Sequence, residues 1–398
     1  MSAIYPFAAL RPTPAAAKAV ASVPYDVVST DEARALAAGN RLSFLHVSRP
    51  EIDLPPGTDP HADTVYHQAS TAFATLREAA PLVVEEMPSF YVYRLHMGDH
   101  VQAGIAACFS IDEYDRDLIK KHEKTRPDKE DDRTRHMLAI GAQTGPVFLT
   151  YRASKGVDHV VARIVENAPL FDLTAPDGVR HEVWQVPAIE NQAIVDAFAR
   201  IDALYIADGH HRAASAARTR RGLAARGAGE HDRVLAVAFP DDQMNVLPYN
   251  RVVKDLNGLT PEALVEALGQ TFTVSKGGAS SPGEKGTLAM FLGGEWYGID
   301  LKTASDALDV DVLQTAVLEP ILGIQDVRTD KRIDFVGGIR GTQELERLVN
   351  AGDFAVAFSL YPVSVHDLMR IADAGGIMPP KSTWFEPKLR DGLLSHLI

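Results

Sequence analysis

The apolar run Tyr205-Ile206-Ala207 leads through Asp208-Gly209 straight into His210-His211-Arg212, followed at once by Ala213-Ala214-Ser215-Ala216-Ala217. The chain must pass from strand to tight turn to helix there, with no room for a longer connection. A glycine in the turn lets the backbone approach a ligand closely, and a helix start offers N–H groups and a positive dipole end to an anion. Two histidines and an arginine add donors and charge at that point, with a carboxylate beside them. An Asp-Gly turn before an Ala-rich helix also occurs without any ligand. Crowding of one aspartate, two histidines and an arginine favours phosphate handling over packing. Adjacent histidines diverge on a helix and no His-x-x-x-His spacing accompanies them, which argues against a structural zinc site in this run.

The chain has 398 residues, 46% hydrophobic and 23% charged, and is long enough for two or three packed domains. A net charge of −13 argues against an extended basic surface, so no nucleic-acid partner is expected and any phosphate partner is a small one. Cys108 is a single cysteine, set in the apolar Gly104-Ile105-Ala106-Ala107-Cys108-Phe109, so it reads as a buried strand residue without a disulfide or cysteine-ligated metal. No run of about 18 apolar residues occurs and the first residues carry no secretion pattern, so no membrane partner is expected and a cytoplasmic location is.

Along the chain, Val23–Val28 reads as extended, Thr30-Asp31-Glu32 as a capped helix start and Ser43–Ser48 as a strand. Residues 49–63 read as a proline-rich loop, His67–Ala79 as an amphipathic helix, and Ser89–Leu95 with Val101–Ile111 as a hairpin turning at Gly98-Asp99. Further strands are expected at Val147–Tyr151, His181–Val186, Leu204–Ile206 and Val234–Phe239, with helices at Val157–Asn167, Ile189–Ile201 and Arg212–Arg226. This order predicts an α+β fold, a mixed sheet with helices packed over it. In Tyr249-Asn250-Arg251, exposed polar groups just after a strand are expected to line a site. Near Leu259 the text changes to a helix start at Thr260-Pro261 and then to a polar Gly/Ser/Pro-rich stretch. Residues 1–256 are therefore expected to form one α+β domain carrying the phosphate site, and 257–398 a second, smaller α+β domain whose C-terminal arm returns to that site.

Two further segments bear charge in the right form. Residues 119–135 are dense in both signs; the default is a solvated helix, but Thr125-Arg126-Pro127-Asp128 has the look of a loop with Pro127 at a first helical position. Such a loop, carrying His122, Glu123, Arg126 and Lys129, would close over a polyanion. In the tail, prolines around Lys381, Ser382, Thr383 and Lys388 would hold those groups in fixed relation, either for an anion or simply to dock Trp384 and Phe385.

Several of these stretches together resemble a prokaryotic family catalogued as domain of unknown function 1015. They are Pro24-Tyr25-Asp26-Val27-Val28, Phe44-Leu45-His46-Val47, His122-Glu123 through Arg126–Arg133, Asp208–Arg212, Tyr249-Asn250-Arg251 and Met378–Thr383, with Pro6-Phe7 and Leu10-Arg11-Pro12 ahead of them. The likeness runs nearly end to end but brings no reaction with it. A narrower one does: Asp208-Gly209-His210-His211-Arg212 is similar to the Asp-Gly-His-His-Arg signature of free serine kinases in the ParB/sulfiredoxin-like group. That resemblance implies a ParB/sulfiredoxin-like strand–turn–helix phosphate site in which His210, His211 and Arg212 bind phosphate, Asp208 assists metal or phosphate positioning, and a carboxylate elsewhere takes the hydroxyl proton. Here the signature lies past residue 200, unlike its N-terminal place in small serine kinases.

The resulting expectation is a phosphotransferase of the free-serine-kinase type that moves phosphate between a nucleotide and a small hydroxyl metabolite such as L-serine. Phosphoryl transfer needs charge neutralisation, alignment and a base rather than covalent chemistry by the protein. Glu123 is expected as the base with Asp208 as runner-up, and His210 and His211 as further catalytic groups. Gly209, Arg212, Arg126, Lys129, Tyr249, Asn250, Arg251, Lys381, Ser382, Thr383 and Lys388 are expected to hold phosphate or nucleotide. ATP or ADP would be the donor, with Mg²⁺ accompanying it; no motif names the metal ligands. The rival readings are a phosphoserine-type phosphatase or other hydrolase and a nucleotide-binding regulatory protein of the ParB-like class. Acceptor, donor and oligomeric state stay open at this level.

Overall fold

The computed structural model describes residues 3–79, 82–301 and 307–398. The chain is α+β and divides into two compact units, one of residues 1–244 with Pro387–Ile398 and one of Asn245–Glu386.

The first unit is built on a mixed nine-stranded sheet. From one edge, Ile119–Lys120 lies parallel to Leu204–Asp208, which is antiparallel to Val147–Tyr151, itself parallel to Arg233–Pro240. Antiparallel pairing then continues through His100–Ser110, Tyr91–Met97, Arg180–Gln185 and Phe171–Thr174, with Ile4–Tyr5 added to His100–Ser110. Val234 to Pro240 is buried without alternation, the signature of a strand covered on both faces. The expected hairpin at Gly98-Asp99 is present, and Cys108 is buried in its second strand. Gly104 is required there: a Cβ on it would lie 2.5 Å from the Ala238 carbonyl oxygen and 2.8 Å from the Phe239 ring.

Two helices packed on each other carry the site. Pro127–Ile140 begins with Pro127 at its first turn, carries Asp128 and Glu130 there, and ends on Gly141 in the left-handed conformation. His210–Gly222 packs along it, with Ala213, Ala214, Ala216 and Ala217 buried, the Ser215 hydroxyl donating to the Glu130 carbonyl at 3.0 Å and Arg218 reaching Asp131 at 3.1 Å. Small side chains let the backbones come close, so the Ala-rich sequence is a packing surface.

The last residues belong to this unit. Ser395–Leu397 pairs with Ala9–Pro12 on one side and Ala142–Gln143 on the other, and Asp391 exchanges backbone hydrogen bonds with Ser22. The Asn245–Glu386 unit has a six-stranded antiparallel sheet in the order Thr273–Lys276, Glu295–Asp300, Thr287–Leu292, Val356–Leu360, Tyr249–Val253, Ile333–Gly337. Helix Gly341–Asn350 packs on it through Leu345, against Val252, Phe291, Val336 and Ala357. The division thus falls at 244/245 rather than at 256/257, because Tyr249–Val253 hydrogen-bonds between two strands of this second sheet, and residues beyond Glu386 rejoin the first.

Two local expectations are corrected. Ser43–Ser48 contains a helical turn, Leu45–Ser48, in which the Val47 and Ser48 N–H groups donate to the Phe44 carbonyl. Val23–Val28 is interrupted by a 3₁₀ turn at Tyr25–Val27. The capped helix start expected at Thr30-Asp31-Glu32 is present, with Ser29 as the cap in a reciprocal pair with Glu32.

Gly104→Ala is expected to destabilise the protein by about 1–3 kcal/mol, since neither the paired strand nor the Phe239 ring has room to move. Urea unfolding of the purified variant would reveal it, and a wild-type midpoint would mean that the sheet can spread.

Candidate functional site

Strand Leu204–Asp208 does not end in register. Ile206 pairs with Leu149 but Asp208 pairs with Phe148, so Ala207 is bulged and the strand is re-aimed just before the turn. Gly209 follows at φ +90°, a conformation that glycine adopts without strain, and acts as the N-cap of His210–Gly222. The first intrahelical bond runs from Ala213 N–H to the Gly209 carbonyl, so the amides of His210, His211 and Arg212 precede it.

Arg212 turns back beneath this turn and is 4% exposed. A Cβ on Gly209 would sit 2.8 Å from its Nε. Its guanidinium donates to the Pro146 carbonyl and lies 3.4 Å from Asp208 and 3.9 Å from Asp26, while Nε has no hydrogen-bond partner among the described residues. Burial works against its charge, but Asp26 and Asp208 more than offset this and hold it firmly protonated. Arg212, expected to grip phosphate, is thus first of all the brace of the turn.

Asp208 accepts from the Gly209 N–H at 2.9 Å and from Lys388 Nζ at 3.1 Å. Burial by itself would raise its pKa; Lys388 and Arg212 override that and keep the carboxyl well below the usual carboxylate range. A carboxylate so firmly held makes a poor base. Lys388, in the C-terminal segment, is thus paired with the aspartate of the turn.

The two histidines face the segment that carries Glu123. His210 Nε2 accepts from the His122 backbone N–H at 3.4 Å, and His211 Nε2 accepts from the Arg126 backbone N–H at 3.0 Å. They staple residues 122–126 onto the helix start. His122 and His210 meet edge to face, ring centroids 4.4 Å apart, and both are buried. Burial pushes the His122 imidazole down to about 4 and the His210 imidazole well below its ordinary value, so both are neutral near pH 7. Neutral rings accept hydrogen bonds but bring no positive charge. Arg126 pairs with Asp128 at 2.7 Å, and both Arg126 and Lys129 are exposed at the helix start.

The remaining expected residues lie in the other unit. Tyr249, Asn250 and Arg251, expected to be exposed, are interior, because Tyr249–Val253 is an inner strand of the six-stranded sheet. The Asn250 side-chain oxygen accepts from the Leu360 N–H. Arg251 donates to the Tyr249 and Pro380 carbonyls and lies over the Phe335 ring, and burial lowers it to about 10. Lys381 stands 5.3 Å from the centre of the Tyr249 ring, and the Ser382 hydroxyl donates to the Pro379 carbonyl at 2.6 Å. Thr383 follows in the same segment, before strand Trp384–Glu386.

Two further acids, Asp26 and Asp391, interact with Arg212. Asp26 faces Arg212 from the Tyr25–Val27 turn, and its signal was present in Pro24-Tyr25-Asp26. Asp391 is 2% exposed, and burial pushes its carboxyl up to about 7 despite the pull of Arg212. Nothing in Arg390-Asp391-Gly392 marks it, because its proximity depends on the backbone pairing with Ser22.

Gly209→Ala is expected to cost about 1–2 kcal/mol for the left-handed backbone alone, and to displace the Arg212 guanidinium; thermal unfolding checks the first. Asp391 binds a proton more tightly folded than unfolded. Its contribution to stability is therefore full below about pH 4 and is lost as pH rises towards 7. Asp391→Asn should remove that part of the decline in a pH series of urea unfolding; unchanged curves would show that Asp391 does not titrate there.

Comparison with known proteins finds no match among curated proteins. Among solved structures, a conserved hypothetical protein from Pyrococcus furiosus is 15% identical, covering 73% of this chain and 95% of its own, with a TM-score of 0.38. Free serine kinase in complex with AMP is 14% identical, covering 73% of this chain and 91% of its own at a TM-score of 0.38. C-terminally truncated SbnI from Staphylococcus aureus is 13% identical, covering 73% and 87% at 0.40. Likeness this distant says nothing about activity. The sequence profile described as "Protein of unknown function (DUF1015)" matches residues 4–318, and the chain belongs to that family.

Proposed function

We propose that this protein is a phosphotransferase that moves a phosphoryl group between a nucleotide and a small hydroxyl metabolite, with L-serine as the first candidate. The observation that carries the reading is the pair of hydrogen bonds from the backbone of His122 and Arg126 to His210 and His211. They bring a carboxylate, Glu123, and a cation, Arg126, to an anion-receptive helix start already equipped with Lys388. The likeness of Asp208–Arg212 to the free-serine-kinase signature supports the same reaction class.

In this reading the amides at the helix start receive phosphate oxygens, and Lys388, Arg126 and Lys129 neutralise charge that builds up during transfer. Arg212 holds the turn from beneath. Asp208 keeps Lys388 in place and stays ionised. Glu123, rather than Asp208, takes the proton from the hydroxyl, because Asp208 is committed to Lys388, Arg212 and the Gly209 amide. ATP or ADP is the donor, with Mg²⁺ carried on the nucleotide's phosphates.

The test is incubation with L-serine, Mg²⁺ and either ATP or ADP, followed by phosphorus NMR, with the reverse reaction run alongside. Phosphoserine is the expected product. Glu123→Gln should keep nucleotide binding while slowing turnover by roughly 10²–10⁴-fold, and His211→Ala should weaken binding. Phosphate released from added phosphoserine without nucleotide would make the protein a hydrolase. Nucleotide binding without any transfer would leave a regulatory role.

A further inference from the structure

We infer that His122, Glu123 and His210 form a binding site for a divalent transition-metal ion such as Zn²⁺, Co²⁺ or Mn²⁺. Each of the three offers a ligand atom, and these atoms all lie within 4.8 Å of one another. Ligands about 2.1 Å from a single ion in tetrahedral array stand about 3.4 Å apart, so a small side-chain adjustment closes the set.

A second observation points the same way. His122 is 2% exposed and its Nδ1 is enclosed without a hydrogen-bond partner among the described residues. Buried polar nitrogens are nearly always satisfied, and an orphan one calls for an explanation. The partner ring is only weakly engaged: His210 Nε2 accepts from the His122 N–H at 3.4 Å, the long limit of such a bond. The other nitrogen of the His122 ring donates to the Ile206 backbone carbonyl, which leaves Nδ1 with the lone pair that an ion needs. The half-buried Glu123 supplies the negative charge that a divalent ion needs.

Donor chemistry selects the ion. Two imidazole nitrogens and one carboxylate suit Zn²⁺, Co²⁺ or Mn²⁺, whereas Mg²⁺ prefers a shell of oxygens. The site therefore differs from that of the Mg²⁺ expected on a nucleotide. The three residues do not follow a motif, because His122 and Glu123 come from the segment after Ile119–Lys120 and His210 from the helix start. Three protein ligands leave coordination positions open, the arrangement of reactive rather than structural sites. On the phosphotransfer reading, an open position would receive the substrate hydroxyl or a phosphate oxygen. Metal binding itself does not depend on that reading.

The deciding experiment uses the full chain, untagged, stripped with a chelator and free of nucleotide. Co²⁺ is titrated in and followed by its visible d–d absorption, with Zn²⁺ binding measured by calorimetry. One ion per chain is expected, with a higher unfolding temperature in the metal-loaded protein. Glu123→Gln and His210→Asn should each weaken binding by more than the roughly 10–100-fold typical of outer-shell changes. Because His122 and His210 are buried, Glu123→Gln is the variant that decides, provided its metal-free unfolding temperature matches wild type. Absence of stoichiometric binding in wild type, or wild-type affinity in Glu123→Gln, would overturn the assignment. Metal binding without phosphoserine formation would leave the ion site standing and remove the kinase.

Discussion

The site depends on one buried cation. Arg212 lies under the Gly209 turn, where taking a guanidinium out of water is costly unless its charge is matched. Asp208, Asp26 and the Pro146 carbonyl match it, and each comes from a different part of the chain. The same guanidinium occupies the space that a Cβ on residue 209 would need, so glycine serves both the turn's backbone angle and its packing. Remove one acid and the arginine becomes an uncompensated charge; remove the arginine and two acids face each other near Asp391.

The helix start gains its chemistry through hydrogen bonds that its histidines accept. An imidazolium could accept none, so the neutral state imposed by burial on His210 is what lets it hold the His122 amide. Residues 122–126 are thereby fixed by the Asp208–Arg212 run rather than by their own local structure. Lys388 arrives from the opposite end of the chain, held by Ser395–Leu397 pairing between two N-terminal-unit strands and by the Ser22–Asp391 bridge.

Much of the regular structure was legible. Apolar runs gave the inner strands, and the Pro127 and Gly209 signals gave two helix starts, because those signals act within a few residues. The α+β class followed from the order of these elements. Failures came where local preference was weak: Phe44-Leu45-His46-Val47 has strand-like residues but pairs with no strand among the described residues, and folds into a helical turn. Tyr249-Asn250-Arg251 looked like a polar rim because sequence does not reveal that a guanidinium will find two carbonyls and an aromatic face inside a sheet.

Sequence alone determined the strand–glycine–helix turn, the crowding of Asp208, His210, His211 and Arg212 on it, and the charged loop before Pro127, since each depends on backbone angles and side chains a few positions apart. Tertiary structure decided which groups are engaged and how they are charged. It turned Arg212 inward, tied Asp208 to Lys388, raised Asp391, and set His122 against His210 beside Glu123. Those outcomes depend on burial and on partners 66 to 180 positions distant, and no local pattern encodes the dielectric or the neighbours that a folded chain supplies.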